Sequence, residues 1–221
     1  MAKYFFMDMD NTICESRQKI SVEMKDRLSK IDFLIVIGGL NKERMLYQLD
    51  GLSCIILAQS GNDAPNWQNN LTSEEIMEIF THIEKIKTLC QPYNDEVKVI
   101  ENRGCQVSLS FVGHTAPPEF KQKFDPDKLT RKSILKKHPF ESKTLTCNIA
   151  GTTCLDYTSK LGDKGHNIKR YIKENKLDKD DCVFFGDALF EGGNDESVKG
   201  IIKTVEVANP QDLLLKLKEY V

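Results

Sequence analysis

Residues 3–12, KYFFMDMDNT, decide the fold. An unbroken aromatic and aliphatic run of this length reads as a buried β-strand, and it stops on two acids one residue apart, Asp8 and Asp10. In an extended chain residues i and i+2 point the same way, so both carboxylates would face one spot. Folding gives no reason to place two like charges so close. Either a cation sits between them or one carboxyl keeps its proton.

Working outward, the segments at 33–39 (FLIVIGG) and 54–61 (CIILAQSG) read as further buried strands, and 181–187 (DCVFFGD) as another that ends on an acid. Between them lie helical stretches. Residues 20–31 place Val22, Met24, Leu28 and Ile31 in a rough stripe behind Ser21 as N-cap. Residues 41–51 open on Asn41 and stop at Gly51, residues 164–176 form a helix behind Gly162, and residues 209–220 pair an Asn209 cap with Pro210. Strands alternating with helices predict a parallel sheet with right-handed crossovers. The middle of the chain departs from this rhythm. After a polar break at 62–70 comes an amphipathic helix carrying Ile76, Ile79, Phe80, Ile83 and Ile86, with Thr72 and Glu75 at capping-box spacing. Two strand–turn–strand patterns follow, at 96–113 and 143–158, with a helix at 125–138 between them. The expected fold class is therefore α/β, a doubly wound, Rossmann-like parallel-sheet core. Residues 1–67 and 165–221 form that core, and residues 68–164 form an inserted α+β cap domain.

Composition narrows the function classes. The chain has 221 residues, 40% of them apolar and 29% charged, with a net charge of −2. Without a basic stripe, nucleic acid is not an expected partner. The apolar runs are too short to span a bilayer, so no membrane is expected either. Acids arrive before a signal-peptide stretch could form, which predicts a cytoplasmic location. Seven cysteines without a C-x-x-C argue against structural zinc or a disulfide framework.

Ligands of open parallel sheets gather at the carboxyl ends of the strands. There the first strand delivers Asp8 and Asp10, the second Gly38, Gly39 and Asn41, and the last Asp187. Converging carboxylates suit Mg2+, a hard cation with oxygen ligands, and they also supply a nucleophile that can form an aspartyl phosphate. Lys164 and Arg17 are candidate cations for the charge on a moving phosphoryl group.

The DMDNT stretch resembles the first motif, D-x-D-x-T, of the haloacid dehalogenase superfamily. Within that superfamily the chain is similar to the eukaryotic-type phosphomannomutases along nearly its full length. The likeness runs through SRQKIS at 16–21, IGGLNKERMLYQL at 37–49, ENRG at 101–104 and FFGDALFEGGNDESV at 184–198. The resemblance implies a nucleophilic Asp8, with Asp10 as general acid and base. It places Mg2+ on Asp8, Asp10 (through its main-chain carbonyl), Asp187, Asn194 and Asp195. Lys164 would neutralise Asp8 and the phosphate. Substrate contacts would come from Arg17, Gly39, Asn41, Arg103, His114, Lys121 and Asp156. The implied substrate is a phosphorylated sugar, and a homodimer formed through the cap is plausible.

Several positions depart from that pattern. Leu40 stands where the family carries a serine, Asn11 where a glycine is usual, and His114 and Lys121 near two further arginines; Cys154 falls near a serine. Lysine keeps the charge but loses the bidentate grip, and histidine is only partly charged at neutral pH. Weakened cap cations favour a phosphosugar phosphatase. A true phosphomannomutase is the first alternative, and an inactive sugar-phosphate binder, motivated by the missing serine, is the second.

Overall fold

The computed structural model describes residues 2–16 and 18–220. By contact the chain divides into two compact units, Met1–Gln68 with Leu161–Val221, and Asn69–Lys160. The second boundary therefore falls after Lys160 rather than after residue 164, because Lys164 opens a helix of the first unit.

In chain order the first unit begins with β1 (Tyr4–Asp8), α1 (Val22–Leu28), β2 (Phe33–Ile37), α2 (Lys42–Leu49), β3 (Ile55–Leu57), β4 (Asp63–Ala64) and β5 (Trp67–Gln68). The second contains α3 (Ser73–Ile86), β6 (Ile100–Asn102), β7 (Gln106–Ser110), α4 (Pro118–Phe124), α5 (Leu129–Lys137), β8 (Leu145–Ala150) and β9 (Cys154–Ser159). The first unit resumes with α6 (Lys164–Glu174), β10 (Cys182–Gly186), β11 (Lys203–Glu206) and α7 (Pro210–Leu217).

The core sheet has strand order β11-β10-β1-β2-β3 and every pairing in it is parallel, in register at Met7 with Phe185 and at Asp8 with Ile37. The strands are hydrophobic on both faces because both faces are covered. Phe5, Met7, Leu34, Val36 and Phe185 pack with Met24 and Leu28 of α1, Met45 and Leu49 of α2, and Leu213 and Leu217 of α7. Phe6, Ile35, Ile37 and Phe184 pack on the other face with Ile168 and Tyr171 of α6. Asp8 follows Phe6 by two residues, so the alternation of β1 sends its side chain toward the α6 face.

The second unit is a four-stranded antiparallel sheet of order β6-β7-β9-β8. Val107, Leu109, Leu155 and Tyr157 bury one face against Ile79, Ile83 and Ile86 of α3 and Ile134 of α5. The alternate residues give the opposite face Ser108, Ser110, Asp156 and Asn148, so it is polar.

Some elements differ from the sequence reading. Val22 is exposed rather than part of the α1 stripe, since two residues before Met24 it lies on the far side of a 3.6-residue turn. The polar break at 62–70 contains the β4–β5 hairpin, with Trp67 buried. The edge strand β11 and the seven-residue α4 were not expected; both are short, and β11 has exposed ends. No helix among the described residues is long and apolar enough to cross a membrane.

Candidate active site

At the carboxyl edge of the core sheet, Asp8, Asp187 and Asp195 each present a carboxylate oxygen, all within 4.8 Å of one another. Three distant stretches bring them together. Asp8 ends β1, Asp187 follows β10, and Asp195 returns through the turn after β10. That turn is closed by the Asp195 amide donating to the Ala188 carbonyl (3.2 Å) and the Ala188 amide donating to Asp195 Oδ2 (3.1 Å). Gly186 makes the return possible, since a Cβ there would lie 2.3 Å from Asp195 Oδ2.

Lys164 is the first residue of α6, whose N-terminus is capped by Asp163 accepting from the His166 amide. Its side chain is 1% exposed and its Nζ donates to both Asp8 Oδ1 and Asp195 Oδ1, the latter at 2.6 Å. Burial works against the ammonium, but the charges of Asp8 and Asp195 outweigh it and raise its pKa. The Asp8 carboxyl is pushed up to about 7, chiefly by burial, with Lys164 pulling the other way. Asp187, half-buried, is raised by burial and by the Asp195 charge, and it accepts a long bond from Thr12 Oγ1 (3.4 Å). Three carboxylates thus face one ammonium, an all-oxygen donor set short of positive charge. It fits a hard divalent cation such as Mg2+.

The third carboxylate of the cluster is Asp195, not Asp10. β1 ends at Asp8, and the chain turns through Asn11, in the left-handed region at φ 62°. Asp10 Oδ1 instead accepts from Gln48 Nε2 of α2 (3.2 Å). Asn194 is exposed in the turn before Asp195, and Gly39 is exposed after β2. Asn41 Oδ1 caps α2 by accepting from the Arg44 amide (3.0 Å), which leaves the Asn41 NH2 group as its donor. Arg17 lies outside the described residues.

In the second unit, four expected residues gather on the polar side of the sheet. Glu101, Ser108, Asp156 and Asn148 form one cross-strand row. Ser108 Oγ donates to Asp156 Oδ1 at 2.5 Å. Burial raises the Asp156 carboxyl against the pull of Ser108 and Arg103. Arg103 donates twice to Glu101 Oε2 (2.7 and 3.1 Å). His114 is buried and donates from Nε2 to the Ser108 carbonyl (3.2 Å), and burial lowers its pKa, so it is mainly neutral at pH 7. Lys121 Nζ donates to the His114 carbonyl (2.6 Å). Sequence reasoning singled out neither Glu101, which sits in the same turn as Arg103, nor Gln48 and Ser108. A serine in an otherwise apolar strand, as Ser108 is between Val107 and Leu109, was the available signal.

A phosphatase of the haloalkanoate (HAD) enzyme superfamily from Bacteroides thetaiotaomicron superposes with a TM-score of 0.67 at 12% identity, over 99% of this chain and 95% of that one. The two share a fold, a parallel sheet with helices on its faces and a second unit. The family described as eukaryotic phosphomannomutase matches residues 9–221; the chain belongs to that family, and it is an enzyme of the HAD superfamily. Similar proteins include phosphomannomutase of Schizosaccharomyces pombe, 25% identical over 96% of this chain and 91% of the relative, and phosphomannomutase 1 of Dictyostelium discoideum, 26% identical over 93% and 91%.

Proposed function

We propose that the protein is a Mg2+-dependent phosphoryl-transfer enzyme acting on a phosphorylated sugar through an aspartyl phosphate, and that it works as a phosphatase. The observation that carries this reading is the buried Lys164 bridging Asp8 and Asp195 beside Asp187. Asp8 attacks phosphorus and forms an acyl phosphate while the ester P–O bond breaks, and Asp10 gives its proton to the departing sugar oxygen. Water then attacks the phosphorus, Asp10 takes its proton, and inorganic phosphate leaves with Asp8 restored. Lys164 stabilises the equatorial oxygens throughout. Mg2+, when held by Asp8, Asp187 and Asp195 with Asp10 and Asn194, supplies further charge neutralisation there.

Hydrolysis is favoured because the cationic positions of the second unit are muted. Arg103 is paired with Glu101 and His114 is neutral, which leaves Lys121, bonded to a carbonyl, to carry its charge. A mutase must hold a doubly phosphorylated sugar while it turns over, which calls for strong cations. Family membership favours that second reading, interconversion of mannose 6-phosphate and mannose 1-phosphate. One experiment separates the two. The protein is incubated with mannose 1-phosphate or glucose 1-phosphate and Mg2+, with and without a sugar bisphosphate, and both free phosphate and hexose 6-phosphate are measured. Free phosphate without 6-phosphate is expected. Bisphosphate-dependent 6-phosphate formation without phosphate release would establish the mutase.

A further inference from the structure

Gln48 is fully buried in α2, and its side-chain orientation is fixed by what its Nε2 faces. That nitrogen lies 3.2 Å from Asp10 Oδ1, 3.2 Å from the Gln18 carbonyl and 3.4 Å from Cys14 Sγ. A carboxylate and a carbonyl only accept, so the two N–H groups must point at them. Turning the amide over would set Oε1 against both. In this orientation Oε1 is buried and has no hydrogen-bond partner among the described residues. The backbone is pinned too, by the Ile20 amide donating to the Gln48 carbonyl at 2.8 Å. The turn that carries Asp10 is held separately, by Asp10 bridging Cys14 and the Asn11 amide donating to the Cys14 carbonyl at 2.7 Å. Gln48 therefore ties that turn to a rigid helix through one carboxylate oxygen, while leaving its own acceptor unsatisfied in the core.

We infer that Gln48 is a positioning residue for Asp10, holding that carboxyl in the orientation from which it delivers a proton to the leaving oxygen. The inference rests on the proposed role of Asp10 as general acid. Its signature is a dependence on the leaving group. A hexose 6-phosphate expels an alkoxide and needs the proton, whereas p-nitrophenyl phosphate expels a stable phenolate and does not. Because kcat/KM reports steps up to departure of the leaving group, it isolates this event from the later hydrolysis.

The test compares the wild type with Q48M and Q48E on both esters, with Mg2+ and with thermal melts. Q48M removes both donors at similar length, and Q48E, isosteric with glutamine, replaces the donor with a like charge. In both variants kcat/KM for the hexose 6-phosphate is expected to fall by about 10- to 100-fold, against less than about threefold for the aryl ester. Q48M also takes the donor away from the Gln18 carbonyl, so it is expected to stay folded with a Tm a few degrees below the wild type. Equal losses on the two esters, or no loss in a folded variant, would overturn the inference while leaving phosphoryl transfer intact. If Q48M does not fold, Q48E alone decides the ratio; failure of both to fold makes Gln48 a structural residue and overturns the inference. A wild type inactive on both esters removes the phosphoryl-transfer reading, and this inference with it.

Discussion

Lys164 and Gly186 are the two residues on which the cluster depends most. A buried ammonium between two buried carboxylates is held by those carboxylates, and they are equally held by it. Removing one partner of such a group leaves uncompensated charge in the interior, at about 3–5 kcal/mol. For a chain of this size that lowers Tm by roughly 6–20 °C. K164M should show such a fall by calorimetry, and added Mg2+ should recover part of it by supplying the missing positive charge. A melt unchanged from wild type would mean that Lys164 is not balancing Asp8 and Asp195. Gly186→Ala acts on the same group by contact. The added methyl would lie 2.3 Å from Asp195 Oδ2 and 2.6 Å from the Phe184 ring, so Asp195 must move off Lys164. The variant should lose phosphoester turnover as well as stability, and a fully active Gly186→Ala protein would contradict the placement of Asp195.

Secondary-structure elements differ in how plainly the sequence announces them. Helix α3 carries its own start signal: Thr72 Oγ1 accepts from the Glu75 amide at 3.2 Å, and the Glu75 carboxylate accepts from the Thr72 amide at 2.9 Å. Thr72→Ala should lower stability by about 1 kcal/mol, or roughly 2–4 °C in Tm, with activity at ordinary temperature unchanged. Strands β1, β2 and β10 were equally legible, because burial on both faces leaves unbroken apolar runs. Less was legible where the signal is tertiary. The two-residue strands β4 and β5 are too short for any period to show. Asp10 lies beyond the end of β1, beside the turn at Asn11, and its bond from Gln48 of α2 is likewise a tertiary contact that spacing does not show. Asp195 reaches the cluster only because a turn folds back over a glycine, which spacing alone does not reveal. His82, polar on an apolar helix stripe, is buried because its two ring nitrogens find a hydroxyl and a carbonyl brought in by other elements.

At the scale of the whole molecule that histidine links stability to pH. The His138 carbonyl accepts from Nε2 at 2.8 Å, which leaves Nδ1 to accept the Tyr157 hydroxyl at 2.8 Å, so the neutral ring is the fitted one. Burial, with nearby Lys85 and His138, lowers its pKa below the ordinary 6.5, although the bond to the His138 carbonyl pulls the other way; burial does the same for His114. A lowered folded value means that the stabilisation is fully present above pH 6.5 and is lost as pH falls through 6.5 toward the folded pKa. His82 and His114 therefore pull Tm down as pH falls below about 6.5 while the raised carboxyls of Asp8, Asp156 and Asp187 pull it up, so the His82 contribution is read as a difference: the Tm gap between the wild type and His82→Gln should shrink on acidification. A gap unchanged by pH would show that His82 is not the group responsible. The central claim concerns covalent chemistry at Asp8 within this fold, and one measurement reaches it most directly. The protein is mixed with Mg2+ and p-nitrophenyl phosphate, quenched in acid, and mapped by peptide mass spectrometry beside D8N. A phosphoryl adduct on the peptide carrying Asp8, absent from a folded D8N that has lost turnover, is the predicted result. Normal hydrolysis by D8N, or an adduct on another residue, would contradict it.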